Sequence, residues 1–153
     1  MHETPGERIR RVRIDAGLTQ AELALAAAIS QPKLSAYERD VITPQPQTLA
    51  RIIRAARPRP SVLLERHADE IIAAAHRHNI AQVRVFGSNV HGTDTIESDI
   101  DFLVTVTPTA SLFDLGGFAL EAEAILGYPV DVVSDGSTST AVLERIQRES
   151  VPL

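Results

Sequence analysis

Two prolines at alternate positions, Pro58 and Pro60, constrain this chain more than any other feature. Neither can continue a helix, and each biases its predecessor toward extended backbone. The run Arg57-Pro58-Arg59-Pro60-Ser61 therefore predicts a break, with one domain over residues 1–57, a linker over 58–61 and a second domain over 62–153. The hydrophobic period differs on the two sides. It is helical throughout the first part and switches between helix and strand in the second, so the expected layout is all-α followed by α/β.

Before the break, Ile9, Val12 and Ala16 line one helix face, which Gly17 ends. Thr19 with Glu22 three residues on reads as a capping box, followed by the apolar set Leu23, Ala24 and Ala27. Ser30 reads as the cap of a third helix, with Pro32 in its first turn and Leu34 and Tyr37 inward. Thr48 is expected to cap a fourth. After the break, Ser61 is expected to cap one long helix carrying Leu64, Ala68, Ile71, Ile72 and Ala75. Gln82-Val83-Arg84-Val85-Phe86 alternates like a strand and runs into Gly87-Ser88. Residues 99–106 read as a second strand and Pro129-Val130-Asp131-Val132-Val133 as a third. Helices are expected over Leu112–Leu126, weakened by Gly116-Gly117, and over Thr140–Glu149.

Charge divides as the period does. Residues 1–60 hold ten Lys and Arg against six acids, a balance of +4, whereas residues 61–153 hold five against fourteen, a balance of −9. The first half suits a polyanion and the second does not. The chain has no cysteine, which excludes a disulfide framework, a thiol nucleophile and Cys-ligated zinc. His2, His67, His76 and His78 fit no common zinc spacing and are read as tail or helix surface. No apolar run reaches the roughly 20 residues that span a bilayer, and the opening segment lacks a signal-peptide core, so a cytoplasmic protein without a membrane partner is expected.

Helix, short turn and helix within residues 20–39 is the geometry that lays a second helix in the DNA major groove. Gln31, Pro32, Lys33, Ser35 and Ala36 then face base edges, where Gln suits adenine and Lys suits guanine. Gln20 is placed for a phosphate oxygen and Arg39 for the flanking backbone. The bland alternative is a helical bundle that docks protein, with Gln31 and Lys33 merely exposed. The run GLTQAELALAAAISQPKLSAYERD resembles the XRE/Cro-type repressor family through Leu18-Thr19-Gln20, Glu22-Leu23-Ala24, Ile29-Ser30-Gln31, Leu34-Ser35 and Tyr37-Glu38-Arg39. It departs from that family at Ala28 and Asp40, where glycine is usual. The resemblance implies that residues 1–57 bind operator DNA as a homodimer.

In the second half, Asp99 and Asp101 are two apart on an expected strand and so share one face, beside a strongly apolar run. Burying two carboxylates without a counter-charge is costly, and a divalent cation with hard oxygen ligands removes the problem. Gly87 lets backbone amides approach a ligand, Ser88 offers a hydroxyl to a phosphate, and a short helical turn is expected to end near Gly92. Asp131 can add a third carboxylate from a neighbouring strand. Taken singly, a Gly-Ser turn is usually only a turn, and an Asp-x-Asp pair is usually surface decoration.

Gly87-Ser88, ten residues, then Asp99-Ile100-Asp101, with Asp131 in Val130-Asp131-Val132-Val133, resembles the minimal nucleotidyltransferases of the polymerase-β-like superfamily. Ser98-Asp99-Ile100-Asp101-Phe102-Leu103-Val104 and Ser111-Leu112-Phe113-Asp114-Leu115 extend the likeness from about Ser61 onward. The resemblance implies a small α/β domain with a mixed sheet. It also implies catalytic and Mg²⁺-binding roles for Asp99, Asp101 and Asp131, with two ions, and nucleotide contacts from Gly87, Ser88 and His91. His91 stands where the family commonly has arginine, and Asn89 is also unusual at its position. The implied activity is transfer of AMP from ATP to a tyrosine hydroxyl of a HEPN ribonuclease toxin, by an antitoxin that represses its own operon. The alternative is a regulator whose transferase-like domain binds nucleotide or toxin without catalysis.

Overall fold

The computed structural model describes residues 2–136 and 140–153, and it divides into two compact units, Met1–Pro58 and Arg59–Leu153. The first is four helices: α1 (Pro5–Asp15), α2 (Gln20–Ala26), α3 (Gln31–Glu38) and α4 (Pro46–Ala55). Three local caps set their starts. Thr4 and Glu7 form a capping box on α1, Thr19 and Glu22 form one on α2, and Ser30 accepts from the Lys33 N–H on α3. Thr4-x-x-Glu7 carries the same signature as Thr19-x-x-Glu22, although the sequence reading used only the second. Thr48 is not a cap. Pro46, with φ preset for a helix, starts α4 three residues earlier, after Gln45. Ile9, Leu23, Leu34 and Ile52 meet in the centre with no exposed surface.

Both departures from the repressor pattern adopt the backbone that glycine would have supplied: Ala28 has φ 55° and Asp40 φ 54°. Such a residue costs about 1 kcal/mol unless local bonds offset it. Asp40 has them, accepting from Thr4 Oγ1 at 2.7 Å and from the Gly6 N–H at 3.1 Å.

The second unit opens with α5 (Pro60–Arg66) and α6 (Ala68–Arg77). The expected long helix is broken at His67, whose φ −113° and ψ 18° leave helical geometry. The helix starts at Pro60, which shortens the expected linker 58–61, and Ser61 is not its cap. Its N–H donates instead to Asp94 Oδ2 at 2.9 Å. A carboxylate that is only 2% exposed thus caps α5 from a distant loop.

The sheet follows: β1 (Ile80–Phe86), β2 (Ile100–Val106), β3 (Val130–Ser134) and β4 (Val151–Pro152), in the order β3-β2-β1-β4. β1 runs antiparallel to β2 and β4, while β2 and β3 are parallel, so the sheet is mixed. β4 is the strand the sequence pattern did not announce. It is two residues long, and Arg84 holds the chain before it through Ser150 Oγ at 2.9 Å. The parallel pair is joined by α8 (Leu112–Leu126), and α9 (Thr140–Glu149) lies between β3 and β4. Phe102 and Phe118 pack at 5.7 Å between ring centres in a core with Ile71, Ile80, Ile100 and Val104.

α8 is fixed to α6 through polar groups at its edge. Glu121 accepts from Arg77 and meets His78 Nε2 at 2.8 Å. His78, expected on the surface, is half-buried because its ring lies on Gly117, where a Cβ would come 2.8 Å from His78 Cε1. Gly116 beside it has open space. An interior helical glycine costs about 1 kcal/mol relative to alanine, and in this unit the cost has a structural reason at Gly117 alone of the two.

Two outcomes follow. In urea unfolding of the dilute protein, Gly116→Ala stabilises the second unit by about 1 kcal/mol, whereas Gly117→Ala destabilises it by displacing His78. Arg77 first, then His78, hold the Glu121 carboxyl below its ordinary 4.5. Its contribution is complete above that value and lost as pH falls through the lowered one. Glu121→Gln should therefore flatten the acid limb of a plot of Tm against pH.

Candidate active site and helix-turn-helix face

β1 ends at Phe86, opposite Asp101 in the antiparallel register. The next residue, Gly87, turns the chain with φ 80° and ψ −152°, a region open essentially to glycine. A Cβ there would lie 2.7 Å from Asp101 Oδ2. The bend thus passes directly over a carboxylate, and any side chain at 87 would push it away. α7 (Ser88–His91) is one turn, closed by Gly92 at φ 67°. Ser88 is at its start, and His91 is exposed at its end.

Asp101 and Asp131 are directly paired across β2 and β3. β2 begins at Ile100, so Asp99 lies just outside the strand and is exposed, rather than on it as the spacing suggested. Burial pushes the Asp101 carboxyl above its ordinary 3.8, and the charges of Asp131 and then Asp99 push it further. Two carboxylates therefore act electrostatically on a third that is half withdrawn from water. Among the described residues no group of three or more His, Cys, Asp or Glu is placed to hold a metal ion, so Asp99, Asp101 and Asp131 do not stand as the expected ligand set in this structure. The carboxylates of this region are all-oxygen donors, the kind that suits a hard cation.

Asn89 belongs to this site, although the sequence reading marked it only as an oddity. Its Nδ2 donates to the Asp99 carbonyl at 3.1 Å and ties α7 to the acid-bearing segment. No spacing rule announces such a contact, because it depends on two loops meeting in space.

The first unit brings its own candidates together. Gln31, Lys33 and Arg39 are exposed on or at the end of α3, and Ser35 is partly so. Arg39 Nε donates to the Ser35 carbonyl at 3.3 Å, and Lys33 Nζ lies 6.0 Å from the Tyr37 ring centre. Gln20 is engaged on both sides: Oε1 accepts from Gln31 Nε2 at 2.9 Å, and Nε2 donates to Glu38 Oε2 at 2.9 Å. Glu38 is buried and takes a two-pronged bond from Arg13, at 2.6 and 3.1 Å. That bond raises the Arg13 pKa above its ordinary value. The chain Arg13–Glu38–Gln20–Gln31 anchors the start of α3 to α1.

A family model for a nucleotidyltransferase domain matches residues 68–151. The chain belongs to the nucleotidyltransferase-domain family. A helix-turn-helix domain model matches residues 6–63. A candidate protein adenylyltransferase of Methanocaldococcus jannaschii is 34% identical over 82 residues, spanning 54% of this chain and 88% of that one. Protein adenylyltransferase MntA of Thermococcus cleftensis is 33% identical over 88 residues, spanning 54% and 89%. A solved structure of a candidate minimal nucleotidyltransferase is 32% identical with a TM-score of 0.57, covering 61% of this chain and 95% of that one. The chain is thus a nucleotidyltransferase, with a helix-turn-helix domain before the transferase unit.

Removing the Glu38 carboxylate leaves the part-buried Arg13 guanidinium and the Gln20 amide without their shared acceptor. Glu38→Ala should therefore raise amide exchange across α1 to α3, read by mass spectrometry, and leave β1 to β3 unchanged.

Proposed function

We propose that this chain is an antitoxin that transfers AMP from ATP to a tyrosine hydroxyl of a HEPN ribonuclease toxin and represses its own operon through residues 1–57. The observation that carries the transferase part is the Gly87 bend lying over Asp101, with Asp131 in register beside it. The relatives named as protein adenylyltransferases support a protein acceptor and ATP as donor.

In this reading the acceptor oxygen bonds to the α-phosphorus as the bond to the β-phosphate oxygen breaks, and pyrophosphate leaves in line. The hydroxyl proton passes to Asp131. Gly87 and Ser88 hold the departing phosphates through backbone N–H and hydroxyl donors, while Asn89 keeps their loop fastened to the Asp99 segment. Asp99, Asp101 and Asp131 would hold Mg²⁺, two ions in the expected arrangement, which supplies neutralisation of phosphate charge. His91 is the residue that favours the second reading, a regulator that binds nucleotide or toxin without turnover. It is exposed, and its neutral form offers the phosphates less than the family's arginine.

On the DNA side, Gln20 keeps one amide N–H and the Oε1 of Gln31 free for a base edge. Lys33 would meet a base edge, with Ser35 beside it, and Arg39 the flanking backbone. Gln20 thus serves by aiming Gln31 as well as by reaching phosphate itself. A homodimer on a two-fold operator, spaced by about one turn of duplex, is the arrangement such modules use.

The test is Mg²⁺-ATP labelling of the neighbouring gene's product. Wild type should add an AMP-sized mass to that partner, and Asp99→Ala or Asp131→Ala should cut the rate by about 10²-fold or more. Asp101→Asn should lose labelling equally without lowering Tm, because it removes a crowded charge. Labelling that persists in all three variants would sink the assignment. Operator binding should survive these changes and fall with Lys33→Ala.

A further inference from the structure

Among the described residues of the second unit, none covers the outer face of α8. Phe113, Leu112 and Leu120 are 91%, 84% and 70% exposed, and among the described residues they are the most exposed large apolar side chains of the second unit. Gly116 and Ala124 are exposed with them. The inner face, with Phe118, Ala122 and Leu126, is buried in the core. A surface helix of a soluble domain normally turns charge outward, and one that is apolar all round is covered on every side. The three acids of α8 do not break the outer face. Asp114 bonds Ser111 and Asn79, Glu121 bonds Arg77 and His78, and Glu123 accepts from the Val130 N–H.

We propose that this face is where two copies of the chain pair, α8 against α8 in antiparallel sense, with the two-fold axis passing between Gly116 and Gly117. Phe113 and Leu120 stand at equal distances along the helix from that point. Read outward from it, glycine mirrors glycine and Phe113 mirrors Leu120. Crossing there places each Phe113 against the other copy's Leu120, as an isologous contact requires. Gly116 gains a reason in the pair. Its Cβ position is open in the monomer, and a crossing helix uses that space for close backbone approach. Charge points the same way. Residues 61–153 carry −9, so two copies of this unit repel over most of its surface, and the acids of α8 that flank the crossing are each paired within their own copy.

Area sets the strength. The three large side chains leave roughly 400–500 Å² of apolar surface per copy, the size at which an exposed patch marks an interface. A pair buries roughly 800–1,000 Å², at the lower edge for specific association, so the free protein is a weak dimer. A two-fold operator holding two helix-turn-helix units would strengthen the contact by raising the effective concentration. The pairing stands whether or not the site transfers AMP.

The test is sedimentation velocity of the full chain from about 1 to about 100 µM, a range that brackets weak association. The mean mass should rise from one chain toward two. Leu120→Arg should hold it at one chain with Tm unchanged, and Leu120→Gln provides a second, milder variant. The absence of cysteine allows a direct check of the axis. Gly116→Cys should form a disulfide-linked dimer at least about tenfold faster than Gln147→Cys, which is exposed on α9. A mass that stays at one chain throughout overturns the proposal. So does association undiminished in Leu120→Arg, or Gly116→Cys that links no faster than Gln147→Cys.

Discussion

Asp101 sits where two strands and a reversed turn of backbone converge, and the energetics of negative charge at that point shape the transferase unit. Burial alone makes the ionised form unfavourable, and the register of β2 with β3 places Asp131 beside it. A fold selected only for stability would place an apolar or uncharged residue here. The crowding is tolerated because the surrounding core of Phe102, Phe118 and Ile100 is well packed and holds the strands regardless. Gly87 completes the arrangement by letting the chain pass over the carboxylate with no side chain between them. Strain, desolvation and like charge thus meet in a few residues, as is usual where binding or catalysis takes precedence over stability.

The two units solve their buried-polar problems differently. In the helical unit, Arg13 and Glu38 neutralise each other inside the structure, and the pair extends through Gln20 to the exposed Gln31. The network orients a surface residue from within. In the transferase unit, Asp94 is buried to cap α5, so the loop after α7 is held to the start of the unit by a charge–dipole contact. Asn89 holds the same loop from its other end through the Asp99 carbonyl. The segment that follows the Gly87 bend is therefore fastened at two points, which suits the proposed role of Gly87 and Ser88 as fixed donors to phosphate.

α8 joins these themes. Its inner face completes the core, its acids are engaged along its flanks, and its outer face is apolar. Gly117 is needed for the His78 ring, whereas at Gly116 a Cβ would meet nothing among the described residues. At both positions alanine would serve the helix better by about 1 kcal/mol, so the two glycines differ only in what lies against them.

Much of this was legible in the sequence, for physical reasons that operate locally. Proline geometry at Pro58 and Pro60 marked a boundary, capping boxes fixed helix starts at Thr19, and alternation located β1 and β2. The spacing of Gly87, Ser88, Asp99 and Asp101 pointed to a candidate site because a turn followed by an acid-bearing segment is a short-range pattern. Local rules misassigned Thr48 and Ser61 as caps, since Pro46 and Pro60 start those helices first. They also missed the break at His67. The tertiary structure alone set the pairing of Asp101 with Asp131, the Asn89 bond to Asp99, the Asp94 cap on α5 and the two-residue β4. Each joins parts of the chain that are brought together only when the sheet and its helices pack, and no local preference encodes such a meeting.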